Sequence, residues 1–523
     1  MRRRSLLGGV GATLATPALA QPTSVLRVIP QANLTSLDPV WTTAVVTRNH
    51  GYLVYDQLVA NDSRFVPRPA MAEGWVTEAD GLAWTFTLRP DLRFHDREPV
   101  RAADCVASIR RWMARDSLGQ TMATAIVALD TLDDRRFRFR LSRPFPLLAT
   151  ALGKPSPGPC FVMPERLART DPFKPVTDPT GSGPFRFVRD EWNPGSRAVW
   201  ARFDGYRPAP GVPDGIAGAR TPNLGRVEWT VIPDSATAAA AMASGEQDYW
   251  EYPLHDLLPM LRRVPGLVVG QRLSEGTYAG MRLNHLHPPF DNPAARRAVM
   301  MGVDQRDHMR AVAGDDTRLW SSCEGFFTCG GPYASTAGNT LLTIRDPARA
   351  KAALAVSGYA GQRTVLLAPT DYPQINALSL VTADVMQQMG MALEVVATDW
   401  GTVIQRRASQ APVERGGWSV FHSTWSGADI LDPALHPYLR GNGLAAWFGW
   451  PTDPQLETLH NDWIEAADDP ARKRLAEAIQ VRAFETMPLI PLGYYWQPSV
   501  WRDTVTGVFR CQVTAYWNLG KTT

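Results

Sequence analysis

Apolar and polar residues alternate along two stretches of the first part of the chain, and this alternation predicts β-strands. In Trp84–Arg89 and Arg136–Leu141 an apolar side chain occupies every second position, as in a strand with one buried face. Between them, Val106, Ile109 and Met113 keep the spacing of a helix with one apolar face. The first part of the chain is therefore predicted to mix strands and helices.

A strand–helix–strand unit is predicted further along the chain. Thr364–Leu367 and Leu393–Val396 are short apolar runs, and the segment between them, from Ile375 to Met389, has helical periodicity. A helix that joins two strands in this way returns the chain in a right-handed crossover, which gives parallel strands. The pattern indicates an α/β protein.

Helix ends carry recognisable signals. Asn292-Pro293, Asp346-Pro347 and Asp469-Pro470 each place a capping side chain before a proline that suits the first helical turn. An alanine-rich helix over Ser235–Ala243 is followed by Gly245, which suits the left-handed residue that closes a helix. We therefore expect four helices with these boundaries.

Two apolar runs near the end of the chain, Leu489–Trp496 and Val508–Tyr516, predict strands. His285 and His287 also lie on a predicted strand, where alternation would point both rings to one face. A metal pair there would need a third ligand, and none is near in the sequence. We therefore predict no metal site.

The first twenty residues have the features of an export signal. A basic start, Arg2-Arg3-Arg4, precedes a short stretch of small apolar residues and the cleavage sequence Ala18-Leu19-Ala20, which leaves Gln21 as the first mature residue. The pair Arg3-Arg4 resembles a twin-arginine signal. A transmembrane anchor is the alternative, but the stretch is shorter than the roughly 20 residues that a span requires. We expect a soluble, periplasmic mature protein without membrane insertion.

The charge balance excludes some functions. The chain of 523 residues has 54 Lys and Arg and 51 Asp and Glu; because three of the basic residues are Arg2–Arg4, the remainder carries 51 of each. A neutral chain has no overall field that would attract phosphates, so nucleic-acid binding by bulk electrostatics is not expected. Long like-charge runs and low-complexity tracts are absent from the sequence, which excludes disorder.

Five cysteines are too few for a disulfide framework. Cys323 and Cys329 lie six residues apart in a glycine-rich segment, and in an oxidising compartment this spacing predicts a disulfide. A metal site is the competing interpretation, but no second pair supplies four ligands. We expect no cofactor.

The sequence lacks the common catalytic motifs. The sequence contains no G-x-S-x-G elbow, H-E-x-x-H helix or P-loop, and Ser182, between two glycines, is better explained by a turn. The chain is instead rich in aromatic residues, with 18 Trp, 13 Tyr and 18 Phe. Several lie outside periodic segments, in Trp418–Asp429 and Tyr494–Trp496. These suit a small-molecule cleft lined by rings.

Several segments, taken in order, resemble one family: the extracytoplasmic solute-binding proteins of ABC importers, in the peptide/nickel-binding group known as family 5. The segments are Met71–Trp75, Trp84–Arg89, Phe94–Asp96, Pro99–Asp104, Thr180–Phe187, Gly245–Asp248, Leu283–Asn284, Pro289–Asn292 and Tyr516–Asn518. They extend over nearly the whole mature chain. Arg97 departs from the family, which usually has Gly there, and Arg101 replaces the usual small polar cap.

This resemblance implies a two-lobed, type II periplasmic-binding fold with an enlarged first lobe. The first lobe would hold residues 22–273 and 489–523, and the second would hold 274–488. The protein would be a non-catalytic monomer that captures a peptide or another small polar solute between its lobes and delivers it to the permease of an ABC transporter. A periplasmic chaperone or sensor on the same fold, or an exported hydrolase, are the alternatives.

The resemblance also suggests how a ligand is held. In dipeptide-binding relatives an acidic residue in the segment similar to Trp425–Asp429 pairs with the α-ammonium of the ligand. Asp429 is the candidate here, although Ala428 takes the acidic position if the alignment gap lies later. Asp429 could instead merely cap a turn.

Ring faces for the same site would come from Tyr278, Trp425 and Trp496. His422 would bind either the ligand or its own loop. The resemblance leaves the ligand itself open, because members of the group take peptides, nickel complexes, sugars and opines.

The signal segment generates a test. Replacing both arginines, Arg3→Lys and Arg4→Lys, is expected to leave the precursor in the cytoplasm, since the twin-arginine pair precedes only a weak apolar stretch. Cell fractionation with detection of precursor and mature protein measures the result. Export of the double variant at normal levels would contradict the assignment.

Overall fold

The computed structural model describes residues 24–273, 275–466 and 468–522. The predicted signal, residues 1–20, and the cleavage point before Gln21 lie outside the described residues. Within the described ranges, no helix has both the length and the apolar character needed to span a bilayer.

Strands and helices alternate along the described chain. The strands are β1 (Val25–Ile29), β2 (Asp56–Gln57), β3 (Val59–Asn61), β4 (Pro67–Pro69), β5 (Ala72–Thr77), β6 (Ala83–Leu88), β7 (Ile126–Thr131), β8 (Arg136–Leu141), β9 (Phe161–Val162), β10 (Phe185–Phe187), β11 (Arg197–Arg202), β12 (Arg226–Thr230), β13 (Tyr249–Trp250), β14 (Leu267–Gln271), β15 (Thr277–Leu283), β16 (Trp320–Ser321), β17 (Thr364–Pro369), β18 (Leu393–Thr398), β19 (Val420–Ser426), β20 (Ile490–Tyr495), β21 (Pro498–Arg502), β22 (Val505–Thr506) and β23 (Gly520–Lys521). The α-helices are α1 (Val45–Val54), α2 (Ala102–Met113), α3 (Ser117–Ala123), α4 (Leu148–Gly153), α5 (Glu165–Ala168), α6 (Ser235–Ser244), α7 (Leu258–Leu261), α8 (Pro293–Gly302), α9 (Gln305–Ala313), α10 (Pro347–Ala355), α11 (Pro373–Gln388), α12 (Trp400–Arg406), α13 (Pro454–Glu465) and α14 (Asp469–Thr486).

The first lobe is built on a seven-stranded mixed sheet in the order β10-β11-β12-β1-β13-β21-β14. Strand β1 lies at its centre, parallel to both β12 and β13. Strand β21 comes from the end of the chain and pairs antiparallel with β13 and β14. The C-terminal segment is thereby incorporated into the lobe that the N-terminal segment begins.

The second lobe is built on a six-stranded sheet in the order β16-β20-β15-β19-β17-β18. Strands β17 and β18 pair in parallel from Thr364↔Leu393 to Pro369↔Thr398, and α11 connects them. This confirms the predicted strand–helix–strand unit. Strand β15 pairs antiparallel with β19 on one side and β20 on the other.

A four-stranded antiparallel sheet, β5-β6-β8-β7, enlarges the first lobe. In β8 the side chains of Phe137, Phe139 and Leu141 are buried, whereas Arg136 and Arg140 are exposed. The alternation in the sequence therefore predicted this strand and its buried face correctly, because successive side chains of a strand point to opposite faces.

Most of the predicted helix boundaries are confirmed. Asn292 and Asp346 cap α8 and α10, and each accepts a hydrogen bond from the backbone N–H two residues later. Gly245 closes α6 with a φ of +82°. The cap of α14 was predicted one residue too late: Asp468, not Asp469, accepts from the N–H of Ala471. Two successive aspartates, Asp468 and Asp469, precede Pro470, and either could be the cap because proline is tolerated throughout the first helical turn.

Two strand predictions are wrong. Val508–Tyr516 forms no strand; it is a mostly irregular segment whose Cys511 makes an isolated bridge to Leu273. His285 and His287 follow the end of β15, in a turn rather than on a strand. Their Nε2 atoms lie 3.1 and 2.8 Å from the carbonyl oxygens of Met487 and Gln410.

The sheets also show where the chain passes between them. The chain leaves the seven-stranded sheet after β14 and enters the six-stranded sheet at β15. It returns between β20, in the six-stranded sheet, and β21, in the seven-stranded one. The lobe boundaries at 273/274 and 488/489 stay predictions.

The two departures from the family pattern have visible structural effects. Arg97 adopts a φ of +73°, a conformation that costs a residue with a side chain about 1–2 kcal/mol relative to glycine. Its N–H donates to the Phe94 carbonyl at 2.8 Å and closes a tight turn. At Arg101 the cap is partly retained, because its N–H donates to Asp104 Oδ2 at 2.7 Å.

Arg97→Gly is therefore expected to stabilise the protein by about 0.5–1 kcal/mol, since relief of the left-handed strain exceeds the added entropy of the unfolded chain. Urea unfolding of the ligand-free protein measures the change. Glu98→Gly is the control: this neighbouring residue is also exposed but has no positive φ, so the substitution should destabilise. Equal destabilisation by both substitutions would contradict the interpretation.

Candidate functional site

Charged and polar side chains of the first lobe are buried where the two lobes meet. Arg48, on α1, is 5% exposed, and its Nη1 donates to Ser156 Oγ at 2.8 Å. Asn49 accepts from the same guanidinium and donates through Nδ2 to Glu251 Oε1 at 3.2 Å. Tyr516 also donates to Glu251. Burial raises the pKa of Glu251, although these hydrogen bonds and the charge of Arg48 oppose the rise.

A second first-lobe cation lies nearby. The side chain of Lys154, which follows α4, is fully buried, and its Nζ lies 2.5 Å from Asp116 Oδ2. Asp116 is held in place because its Oδ1 accepts from the N–H of Gly119 at the start of α3. Lys154 also contributes its positive charge to the surroundings of Asp429.

Asp429 reaches this cluster from the second lobe. It lies in a 3₁₀ turn, Gly427–Ile430, directly after β19 and is 1% exposed. Burial raises the pKa of Asp429 to about 6, although the charge of Arg48, a hydrogen bond from Ser156 and the charge of Lys154 oppose this. Its Oδ1 has no hydrogen-bond partner among the described residues.

Asp429 also takes part in capping its own turn. The hydroxyl of Ser426, the first residue of the cap, accepts from the N–H of Ala428 at 3.3 Å, and the Asp429 carboxyl group accepts from the backbone N–H of Ser426. Ala428 is fully buried and offers only a methyl group. Asp429, rather than Ala428, therefore supplies the acidic group of this turn.

The Asp429 turn is supported by the segment that contains the disulfide. Cys323 and Cys329 are joined, with their Cα atoms 5.8 Å apart. Between them, Thr328 donates through its hydroxyl to the Gly427 carbonyl and through its N–H to the Ile430 carbonyl at 3.2 Å. Both ends of the turn are thus hydrogen-bonded to the disulfide-closed loop.

Among the predicted aromatic residues, Trp425 lies closest to this turn. Its ring centroid is 3.6 Å from that of Tyr438 and 5.6 Å from that of Trp447. The hydroxyl of Tyr438 is buried beside the side chain of Trp425. Burial, and secondly the charge of Asp429, raise the pKa of Tyr438.

The other three predicted residues have partners of their own. Tyr278 is fully buried in the second lobe, donates to the Gly325 carbonyl at 3.1 Å and has its ring centroid 6.4 Å from that of Trp425. The ring nitrogens of His422 lie 3.0 and 2.8 Å from the hydroxyls of Ser379 and Thr382 on α11, so His422 contacts neither its own loop nor Asp429 through these atoms. Trp496 packs edge-on against Tyr494, 5.6 Å between centroids.

A cavity of about 650 Å³ lies between the lobes, next to this cluster. Asp116 lines it from the first lobe and Trp447 from the second. Six aromatic rings contribute to its wall, and we call them the ring wall: Trp41, Trp112, Phe173, Trp447, Phe448 and Trp450.

One buried cation fixes the backbone behind this wall. Arg282, on β15, is fully buried, and its guanidinium donates to the carbonyls of Tyr438 at 3.0 Å, Trp447 at 3.0 Å and Phe448 at 2.5 Å, and to that of Pro488. Burial lowers the pKa of Arg282 to about 9. Its hydrogen bonds go to backbone carbonyls, which suits the five-donor guanidinium group.

No motif in the sequence points to most of the side chains around Asp429. What distinguishes them is the burial of polar groups, which only the structure shows; they are Arg48, Lys154, Ser156, Glu251 and Tyr438. Within the described ranges, no group of three or more His, Cys, Asp or Glu side chains is arranged to hold a metal ion.

The raised pKa of Asp429 generates a test. Because its folded value, about 6, lies above the ordinary 3.8, its contribution to stability is complete below about pH 4 and is lost as the pH rises through 6. Asp429→Asn should therefore gain stability over the wild type between pH 4 and 7, by an amount on the order of 3 kcal/mol. Urea unfolding of the ligand-free proteins across this range measures the difference.

Asp316→Asn is the matched control. A hydrogen bond from the Arg318 side chain lowers the pKa of the partly exposed Asp316 from 3.8 to about 2, so neither its folded nor its unfolded form titrates between pH 5 and 7. The difference between this variant and the wild type should stay constant from pH 5 to 7. Parallel stability curves for Asp429→Asn and the wild type would contradict the raised pKa.

The sequence matches a known protein family over most of its length. The sequence profile of the "Bacterial extracellular solute-binding proteins, family 5 Middle" matches residues 66–444. The "Probable peptide ABC transporter periplasmic-binding protein y4tO" of Sinorhizobium fredii (strain NBRC 101917 / NGR234) is 34% identical, and the alignment covers 98% of this chain and 97% of that protein.

Two solved structures share the fold. AgaA from A. tumefaciens R10, in complex with agropinic acid, has a TM-score of 0.79 at 21% identity, covering 95% of this chain and 99% of that one. DppA from Helicobacter pylori, in complex with the peptide STSA, has a TM-score of 0.78 at 20% identity, covering 95% and 98%. The expected two-lobed type II periplasmic-binding fold is confirmed. With the match over residues 66–444 and the 34% identical relative, it follows that the chain belongs to the bacterial extracellular solute-binding proteins of family 5.

Proposed function

We propose that this protein is the periplasmic component of an ABC importer and that it captures a peptide between its lobes through the peptide's N-terminal ammonium group. The single observation that carries the ligand assignment is the position of Asp429. Its carboxylate is buried at the lobe interface, and Oδ1 has no partner there among the described residues. An unpartnered buried carboxylate oxygen is costly, and a ligand that supplies a charged donor removes that cost.

An ammonium group fits this oxygen better than other ligand groups do. It supplies positive charge and three N–H donors, and charge-assisted hydrogen bonds are stronger than neutral ones. A ligand carboxylate placed there would be repelled by Asp429. The hydroxyl of Tyr438, buried beside the side chain of Trp425, offers a second contact to the same ligand.

The closed arrangement of the lobes supports capture between them. Trp447 Nε1, from the second lobe, donates to Thr43 Oγ1 of the first at 3.3 Å. Arg440 Nη1, also from the second lobe, donates to the Ser117 carbonyl and to Thr121 Oγ1, each at 2.9 Å. These bonds form only when the lobes meet, which is the closure expected of a hinged binding protein.

The transport role rests on family membership. The relative at 34% identity is described as a probable peptide ABC transporter periplasmic-binding protein, and one structural neighbour holds a peptide. The partners of this chain would be the permease subunits of the transporter, and the signal over residues 1–20 would bring the protein, cleaved near Ala20, to the periplasm as a monomer. The comparisons offer no support for a chaperone, a sensor or a hydrolase.

Thermal unfolding with short peptides tests the ligand assignment. Tripeptides with a free N-terminus should raise the melting temperature of the wild type, because a ligand at 100 times its dissociation constant adds about 2.7 kcal/mol of stability. The same peptides with an acetylated N-terminus should not, since the acetyl group removes the ammonium charge. Asp429→Asn should lose most of the shift, whereas Asp316→Asn should keep it.

Three results would change the proposal. Equal shifts by free and acetylated peptides would exclude Asp429 as an ammonium anchor. A shift by an opine or a sugar, with none by any peptide, would overturn the ligand class but leave the solute-binding role. A full shift in Asp429→Asn would move the anchor to another residue.

A further inference from the structure

We propose that the cavity beside Asp429 is a subsite for one bulky apolar side chain of the bound peptide, with preference for an aromatic one. This inference rests on the proposed function and names the class of peptide that the protein selects.

Both lobes contribute to the ring wall. Trp41, Trp112 and Phe173 come from the first lobe, and Trp447, Phe448 and Trp450 from the second. A side chain enclosed by rings from both lobes loses its contact with water only when the lobes close. Recognition of an apolar side chain would therefore be coupled to closure, as burial of apolar surface favours the closed state.

The polar edges of two central rings are already used within the protein. Trp112 Nε1 donates to the Gly158 carbonyl at 2.7 Å, and Trp447 Nε1 donates to Thr43 Oγ1 at 3.3 Å. With their N–H groups bonded, these two indoles have only carbon surface to offer a ligand.

Polar side chains that line the cavity are also engaged. Asp116 is bonded to Lys154 and to the N–H of Gly119. Arg115 donates to the Trp41 carbonyl at 3.0 Å and stacks on the Phe173 ring, 4.9 Å from its centroid.

Gln120 is bonded at both ends of its amide, accepting from Asn442 Nδ2 at 3.2 Å and donating to the Ala114 carbonyl at 3.4 Å. A sugar or a polyhydroxy acid needs several free donors and acceptors. A wall made of six rings, on which Arg115, Asp116 and Gln120 are already hydrogen-bonded, suits an apolar group instead.

The cavity also adjoins the proposed ammonium anchor on two sides. Pro157 and Gly158, on the first-lobe wall, directly follow Ser156, which donates a hydrogen bond to Asp429. Trp447, on the second-lobe wall, packs against Tyr438 with 4.6 Å between ring centroids, and Tyr438 packs at 3.6 Å against Trp425, at the end of the strand that leads into the Asp429 turn. A peptide whose ammonium group lies at Asp429 therefore has a nearby side chain beside this cavity.

Affinities of seven tripeptides, measured by isothermal titration calorimetry, test the inference. They are Ala-Ala-Ala, the three with a single Phe and the three with a single Asp. At least one Phe peptide should bind the wild type tenfold or more tightly than Ala-Ala-Ala, because a methyl is replaced by a large apolar group in an apolar subsite. None of the Asp peptides should gain affinity.

Filling the cavity provides the second arm. Ala408 and Ala445 line the cavity and are exposed, so Ala408→Trp and Ala445→Trp add a ring there without removing a buried side chain. Each should weaken the favoured Phe peptide at least tenfold and leave Ala-Ala-Ala within about threefold. Ala240→Trp, on the exposed face of α6, is the control and should change neither.

The outcomes separate the two proposals. If none of the seven peptides binds the wild type, the proposed function fails and the subsite fails with it. If peptides bind but Phe gives no gain at any position, or if both filled variants weaken all peptides equally, the subsite is overturned while peptide capture stands.

Discussion

Charge enclosed between two lobes is the constraint around which the rest of the molecule is arranged. Closing the lobes removes Arg48, Lys154 and Asp429 from water, and only fixed opposite charges and hydrogen bonds offset that loss. The cations come from the first lobe, where Lys154 also pairs with Asp116, whereas Asp429 comes from the second. The attraction between Asp429 and these cations therefore exists only in the closed form. One oxygen, Asp429 Oδ1, is left without a protein partner among the described residues. A ligand that completes this cluster therefore stabilises closure specifically.

Holding a carboxylate in such a place requires a rigid turn. The Asp429 turn is short, and its ends are hydrogen-bonded to Thr328 in the loop that the Cys323–Cys329 disulfide closes. The disulfide is remote from the charged groups themselves. Its effect is to limit the conformations of a loop that would otherwise let the turn move away from Arg48.

Local patterns predicted the fold well because they depend on residues that are neighbours in sequence. Alternation in Arg136–Leu141 and the crossover over residues 364–396 follow directly from side-chain periodicity. Val508–Tyr516 shows the limit of that reasoning: Val513, Ala515 and Tyr516 are buried, as in a strand, but in an irregular segment. Apolar composition reports burial, and burial does not require a strand.

The site was only partly predictable for a related reason. Asp429 was found through its resemblance to a family segment, whereas Arg48 and Lys154, from the other lobe, carry no local signal. Their proximity arises from tertiary structure across more than half of the chain. His422 and Tyr278 lie on β19 and β15, but their side chains hydrogen-bond to Thr382 on α11 and to the Gly325 carbonyl.

Arg282 has a consequence for how this binding protein could change its ligand. Because the guanidinium holds the main-chain carbonyls of Tyr438, Trp447 and Phe448, the path of the backbone behind the ring wall is set by a side chain outside it. These hydrogen bonds go to main-chain carbonyls and so do not require particular side chains at Trp447 and Phe448, although the guanidinium also lies 5.4 Å from the Trp447 ring centroid. Substitutions at Trp447 or Phe448 can therefore reshape the space offered to a solute while these hydrogen bonds stay in place. Such a division of labour lets ligand preference diverge among descendants of one gene without the fold having to be rebuilt each time.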